Sequence, residues 1–184
     1  MRYAMVYNQR IGQLRKMIAK KMSQISCSAC GAPYPGDDTP YLCQCGGVWD
    51  YSQFPAYSEP DQHQECRGLW RYQSSLGLSD DAPIITLGEG GTPFLAGNFN
   101  GVSLYYKLEG QNPTGSYKDR GSAVLISFLA SHGITEVVED SSGNAGASLA
   151  AYCARAGISS RVFIPESASG PKRWQIEQFG ARVE

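Results

Sequence analysis

The chain has 184 residues, 42% of them hydrophobic, with a formal net charge of −1. That is enough apolar material for one ordinary domain or two small ones. The near-neutral balance gives no reason to expect a nucleic-acid partner. No apolar run approaches the roughly 20 residues that a membrane helix needs, so no membrane partner is expected either.

Residues 1–22 carry Arg2, Arg10, Arg15, Lys16, Lys20 and Lys21 and no acid. Ile11, Leu14, Arg15 and Ile18 fall at helical intervals, which predicts a short basic amphipathic helix. A transit peptide would be richer in serine, and a helix touching nucleic acid or acidic lipid is another reading. The favoured one is a loosely ordered basic leader, with Met22 as the more natural start.

Six cysteines are present, and four of them are closely spaced. Cys27 and Cys30 form C-x2-C-G, and after a turn-rich spacer Cys43 and Cys45 form C-x-C-G-G. Four thiolates in two close pairs suit one tetrahedral zinc ion, and glycine after each pair permits the tight loops that turn N–H groups toward sulfur. The other reading is a cysteine-bearing fold without metal. Residues 23–50 are therefore read as a small zinc-ribbon-like module. A closed four-cysteine shell would be structural rather than catalytic, and the absence of a secreted disulfide pattern points to a reducing cytoplasm.

Residues 51–82 are broken by proline, serine and acid, and read as a linker with a short helix around Leu69, Trp70 and Tyr72. His63 and Cys66 make H-x2-C, read as structural or exposed because four cysteines already suffice for a metal. From residue 83 the pattern changes. Leu87 to Phe94, LGEGGTPF, is a glycine-rich turn, and Val102 to Leu108 is strand-like. Lys107 and Glu109 at its end are expected to face a substrate or pair with each other.

Asn112 to Gly121, NPTGSYKDRG, sets Lys118 between a turn and an apolar helix that closes at Gly133. A lysine leaving a loop beside such a helix is partly desolvated, which favours the neutral, nucleophilic amine. A strand at Ile134 to Asp140 leads into SSGNAG and a helix from Ala145 to Ala156, stopped by Gly157. Another strand at Arg161 to Ile164 and a helix from Pro171 to Phe179 follow, with a further strand due near Glu184. The β-α-β-α alternation predicts an α/β parallel-sheet domain over 83–184, with its ligand crevice at the strands' C-terminal ends.

Four segments, LGEGGTPF, YYKLEG (Tyr105 to Gly110), NPTGSYKDRG and SSGNAGASLAAYCARAG (Ser141 to Gly157), together resemble the fold-type II pyridoxal-phosphate enzymes, a tryptophan synthase β-like fold. Their wording is similar to that of the threonine synthases, and the cysteine module resembles the ribbon of many plant and archaeal members. The resemblance implies that pyridoxal 5′-phosphate is held as a Schiff base on Lys118, with Lys118 also moving the substrate's Cα proton. It implies that Ser141, Ser142 and Gly143 bind the substrate carboxylate and that Asn144 hydrogen-bonds the cofactor's ring hydroxyl. A helix N-terminus suits an anion without a cationic side chain. Asp119 and Arg120 are expected to anchor the backbone by pairing.

The implied reaction converts O-phospho-L-homoserine and water to L-threonine and phosphate. A threonine or serine dehydratase, a β-replacement synthase and a non-catalytic zinc-ribbon interaction fragment are the alternatives. Family members run to about twice this length, and neither the cofactor-phosphate loop nor the partner of the pyridine nitrogen is found here. The catalytic domain is thus expected to be incomplete, and the chain alone weakly active or inactive. A small amino-acid substrate is the expected partner. A homodimer is compatible with the family and not indicated by the residues.

Overall fold

The computed structural model describes residues 25–35, 38–52, 57, 66–168 and 170–184. The basic leader and His63 lie outside the described residues. The chain divides into two units, one of residues 1–62 and 73–81, the other of residues 63–72 and 82–184.

In the first unit, strands β1 (Ile25–Cys27) and β2 (Trp49–Tyr51) pair antiparallel, with Cys27 opposite Trp49. Tyr34 meets Trp49 edge to face at 5.1 Å between ring centroids, an arrangement that adds to apolar burial. So few residues bury little surface, and a two-stranded sheet of this size is marginal without a further staple.

In the second unit a hairpin precedes the first α-helix. Strand β3 (Phe94–Phe99) pairs antiparallel with β4 (Val102–Lys107) across a tight turn at Asn100-Gly101. Both turn residues have positive φ, 50° and 82°, as a two-residue hairpin turn that matches strand twist requires. The sequence reading missed β3, although Asn-Gly between two apolar runs is a strong hairpin signal. Glycine at 97 and asparagine at 98 broke the strand pattern and hid it.

Helix α1 (Lys118–Ser131) follows, and its buried positions are Asp119, Ser122, Ala123, Ile126 and Ser127. They fall at i, i+3, i+4, i+7 and i+8, so one face is turned inward. Strand β5 (Glu136–Asp140), helix α2 (Asn144–Ala156), strand β6 (Ser159–Phe163), helix α3 (Gly170–Gln178) and strand β7 (Arg182–Val183) complete the chain. The three strands form a parallel sheet in the order β5-β6-β7, as the alternation of elements predicts. α2 ends on Gly157, whose left-handed φ of 71° forms the cap.

α2 is the central element: every residue from Gly146 to Cys153 is buried. A helix apolar on all sides must be enclosed, and α2 packs against α1, α3 and the sheet. Ala147 and Ala150 of α2, Val162 of β6, Ile176 of α3 and Ala181 form one cluster, so α2 and α3 cover the same sheet face. Full burial of Val162 and Ile176 contributes about 1.5–3 kcal/mol each. The opposite face carries the exposed Val138 and Phe163. Among the described residues no helix is long and apolar enough to cross a membrane.

Candidate active site

Lys118 is the first residue of α1 and is half-buried. The turn before it is built by Asn112, whose carbonyl accepts the Gly115 N–H at 2.8 Å. Lys118 Nζ lies 5.1 Å from the centroid of the Tyr117 ring, within cation–π range. The N-cap residue Tyr117 makes no side-chain cap, though Ser116 Oγ accepts the Lys118 N–H at 3.3 Å; the first turn is also held from below.

That support is Asp119, which is fully buried. Its carboxylate accepts the Thr114 N–H at 2.7 Å, the Thr114 hydroxyl, and the Ser148 hydroxyl of α2 at 2.6 Å. Ser148 Oγ also lies 2.8 Å from Ser122 Oγ. Ser148 has a single proton, so it donates to Asp119 and accepts from Ser122. Gln175 of α3 adds a bond from Nε2 to the Thr114 carbonyl at 3.1 Å.

Arg120 forms a two-pronged ion pair with Glu109, Nε to Oε2 and Nη2 to Oε1, both at 2.8 Å. Thr92 and Asn112 also donate to the Glu109 carboxylate. The Arg120 guanidinium, with these donors, holds Glu109 well below the usual carboxylate range, at about 2. Asp119 and Arg120 therefore anchor local structure by pairing, as the sequence suggested. Lys107 and Glu109 do not pair with each other: Lys107 Nζ donates to the Thr92 carbonyl instead.

Ser141, Ser142 and Gly143 are half-buried and link the C-terminal end of β5 to α2. Asn144, the first residue of α2, is exposed. The N-cap residue Gly143 gives this helix no side-chain bond, so the first N–H groups of α2 lack an intrahelical or capping partner. Gly146 sits so close beneath the loop that an added Cβ would lie 2.2 Å from the Ser141 carbonyl oxygen. Asn144 stands one turn before Ser148 on the same face of α2, and Ser148 holds the residue that follows Lys118. The residue after Lys118 is thus tied to α2 one turn beyond the SSGN loop. This end of the helices offers a half-buried amine, an uncapped helix N-terminus and a side-chain amide, a donor set that fits an anionic aldehyde cofactor and a carboxylate substrate.

A second buried acid escaped the sequence reading. Glu89, 1% exposed, accepts from Trp70 Nε1 at 2.5 Å, Tyr152 OH at 2.6 Å, Leu87 N–H at 3.0 Å and the Thr86 hydroxyl. Its neighbour Gly90 donates its N–H to Asn112 Oδ1 at 2.9 Å, joining this loop to the lysine turn. Burial, and then the Glu89 carboxylate, push the Tyr152 phenol far upward, so it is a neutral donor. The clue available in the sequence was an acid inside a glycine turn with tryptophan and tyrosine elsewhere, and no local pattern links them. Cys153 is also buried, which pushes its thiol up to about 12 and leaves it chemically quiet.

In the other unit, the Sγ atoms of Cys27, Cys30, Cys43 and Cys45 all lie within 4.8 Å of one another. Cys27 and Cys45 are 3.5 Å apart and Cys30 and Cys43 3.7 Å, far beyond a disulfide bond. A tetrahedral site with Zn–S near 2.3 Å needs sulfurs about 3.8 Å apart, so the geometry fits a four-thiolate metal site. The backbone N–H of Cys30, helped by that of Ala29, draws the Cys27 thiol down to about 6. The Gly47 N–H also acts on Cys45, but the neighbouring Cys30 and Cys27 side chains outweigh it and leave that thiol raised. Cys66 is not among the four clustered cysteines.

A family model described as pyridoxal-phosphate dependent enzyme matches residues 85–184, which include the lysine turn and the SSGN loop. Threonine synthase of Methanocaldococcus jannaschii is 40% identical over 169 residues, covering 85% of this chain and 42% of its own length. Threonine synthase of Methanosarcina acetivorans is 38% identical over 78% of this chain and 37% of its own, and that of Mycobacterium bovis 44% identical over 66% and 35%. The chain thus spans about two fifths or less of the length of these curated relatives. Among solved structures, a hydrogen sulfide-producing enzyme from Fusobacterium nucleatum aligns with a TM-score of 0.49 and 31% identity, over 54% of this chain and 34% of that one. Since the family match takes in more than half of its residues, and both segments of the site just described, this chain belongs to the pyridoxal-phosphate dependent enzymes.

Proposed function

We propose that the chain carries the lysine-bearing part of a threonine synthase, acting on O-phospho-L-homoserine to form L-threonine and phosphate. The observation that supports this most is the Asp119–Ser148 contact, which lays the first turn of α1 beside the N-terminal half of α2. When bound, pyridoxal phosphate supplies an aldehyde that an amine can capture and a ring that spreads negative charge from the substrate's Cα. Lys118 would hold it through its amine, and the lysine amine would also be the group that moves the substrate's Cα proton. The Ser141–Gly143 loop and the first N–H groups of α2 would bind the substrate carboxylate, and the Asn144 amide would hydrogen-bond the hydroxyl of the cofactor ring. A proton would be lost from Cβ as phosphate leaves Cγ; water would then supply the hydroxyl at Cβ, and protons would return to Cγ and Cα.

Cys27, Cys30, Cys43 and Cys45 would hold one structural zinc ion. It would supply the staple that the small β1–β2 sheet lacks and would take no part in the reaction. Reduced thiols in this cluster fit a cytoplasmic setting.

The test mixes the purified chain with pyridoxal phosphate and compares its visible absorbance with that of Lys118→Ala. A new band in the parent that is missing in the variant is expected; an identical band in both would remove Lys118 from the role. Phosphate release from O-phospho-L-homoserine, against ammonia release from threonine, separates the synthase from a dehydratase of the same family.

A further inference from the structure

Asn144, Ser148 and Tyr152 stand at i, i+4 and i+8 of α2, and so share one face of the helix. Ser148 and Tyr152 each donate to a buried carboxylate on a distant segment, Asp119 at 2.6 Å and Glu89 at 2.6 Å. Both acids tie into the lysine turn. Asp119 does so through Thr114, and Glu89 through its neighbour Gly90 and the buried Asn112. We propose that Ser148 and Tyr152 are positioning residues that set the register of Lys118 against Asn144. This rests on the role proposed above for Lys118.

The physical reason is that a single contact leaves a segment free to pivot, whereas two contacts one helical turn apart fix both slide and rotation. Each contact is short, directional and enclosed, so loss of either proton leaves a carboxylate short of a donor and gives it reason to move. Neither hydroxyl needs to touch substrate or cofactor. Asn144, at the exposed end of the same face, is the reference point against which the lysine is set.

The test uses the full chain with Ser148→Ala, Tyr152→Phe and the conservative Ser148→Thr. Ser127→Ala serves as a stability control: Ser127 is equally buried on α1, but its hydroxyl bonds Ala123 and Ile85 instead. Each protein is incubated with pyridoxal phosphate at a temperature where circular dichroism shows it folded, and then treated with borohydride. The hydride reduces the C=N bond, formed from the Lys118 amine and the aldehyde with loss of water, to a stable secondary amine that peptide mass analysis can count.

Attachment to Lys118 should slow by about tenfold to a hundredfold in Ser148→Ala and Tyr152→Phe, the scale of misplacing a reacting group by an ångström. It should recover in Ser148→Thr and stay at the parent rate in Ser127→Ala. Hydrogen exchange gives a readout independent of the cofactor: the Thr114 and Gly90 amides should exchange faster in the two deletion variants, while β5–β6 amides stay unchanged. Parent-like attachment and exchange in both deletion variants would overturn the positioning role and leave the Lys118 role intact. A parent chain never modified at Lys118 would overturn the Lys118 role, and the positioning role with it.

Discussion

Asp119 offers the sharpest test of how the lysine turn is held. Its two oxygens divide the work: Oδ2 accepts the Thr114 N–H, and Oδ1 accepts the hydroxyls of Thr114 and Ser148. In Asp119→Ala the two hydroxyls can turn elsewhere, since Ser148 already lies 2.8 Å from Ser122. The Thr114 N–H cannot rotate, and Thr114 is only 6% exposed. An orphaned buried donor costs about 1–3 kcal/mol, and the lost side-chain packing adds to it, so the loss should be about 3–4 kcal/mol. Asp119→Asn should cost far less. Its amide oxygen can still face the Thr114 N–H, while its NH2 group faces two hydroxyls that reverse from donor to acceptor. The weaker neutral bonds, and the loss of a favourable charge in the first turn of α1, leave a cost of about 1–2 kcal/mol. Urea unfolding followed by circular dichroism measures both. A loss under 1 kcal/mol in the alanine variant, or equal losses in the two, would refute the assignment of the energy to the stranded Thr114 donor.

Acid should weaken the Glu109–Arg120 pair. The Glu109 carboxyl is lowered from 4.5 to about 2 in the folded chain, so its contribution is complete above about pH 4.5 and is lost as pH falls toward 2. With a quarter of the Glu109 side chain in solvent, screening reduces the effect to about 1–2 kcal/mol. Glu109→Gln should flatten the acid limb of a melting-temperature profile, and an unchanged limb would contradict the shift. Gly146→Ala should destabilise by about 1–2 kcal/mol although alanine is the better helix former, because its Cβ would meet the Ser141 backbone oxygen. A rise in melting temperature would show that the loop gives way freely. Metal analysis should find one zinc per chain, lost in Cys43→Ser and retained in Cys66→Ser; retention in both would remove the four-cysteine site.

Much of this protein is written in local patterns. The lysine helix ends where apolar spacing and Gly133 say it should, and α2 ends at Gly157 for the same kind of reason. The cysteine pairs lie close in sequence, so spacing alone brought them to one point. Alternating strands and helices implied the parallel β5-β6-β7 sheet, because each element's periodicity is set within a few residues. What no local pattern contains is the polar framework beneath the site. Glu89 meets Tyr152 across 63 positions, Asp119 meets Ser148 across 29, and Arg120 leaves its neighbours to pair with Glu109. The Asp119–Ser148 pair is chosen by the packing of α1 on α2, and burial obliges Asp119 and Glu89 each to find donors far along the chain. The sequence by itself determined which residues could carry chemistry, through short-range backbone preference and spacing. Only the tertiary structure decided how firmly they are held, because enclosure makes an unpaired donor costly and a paired one directional.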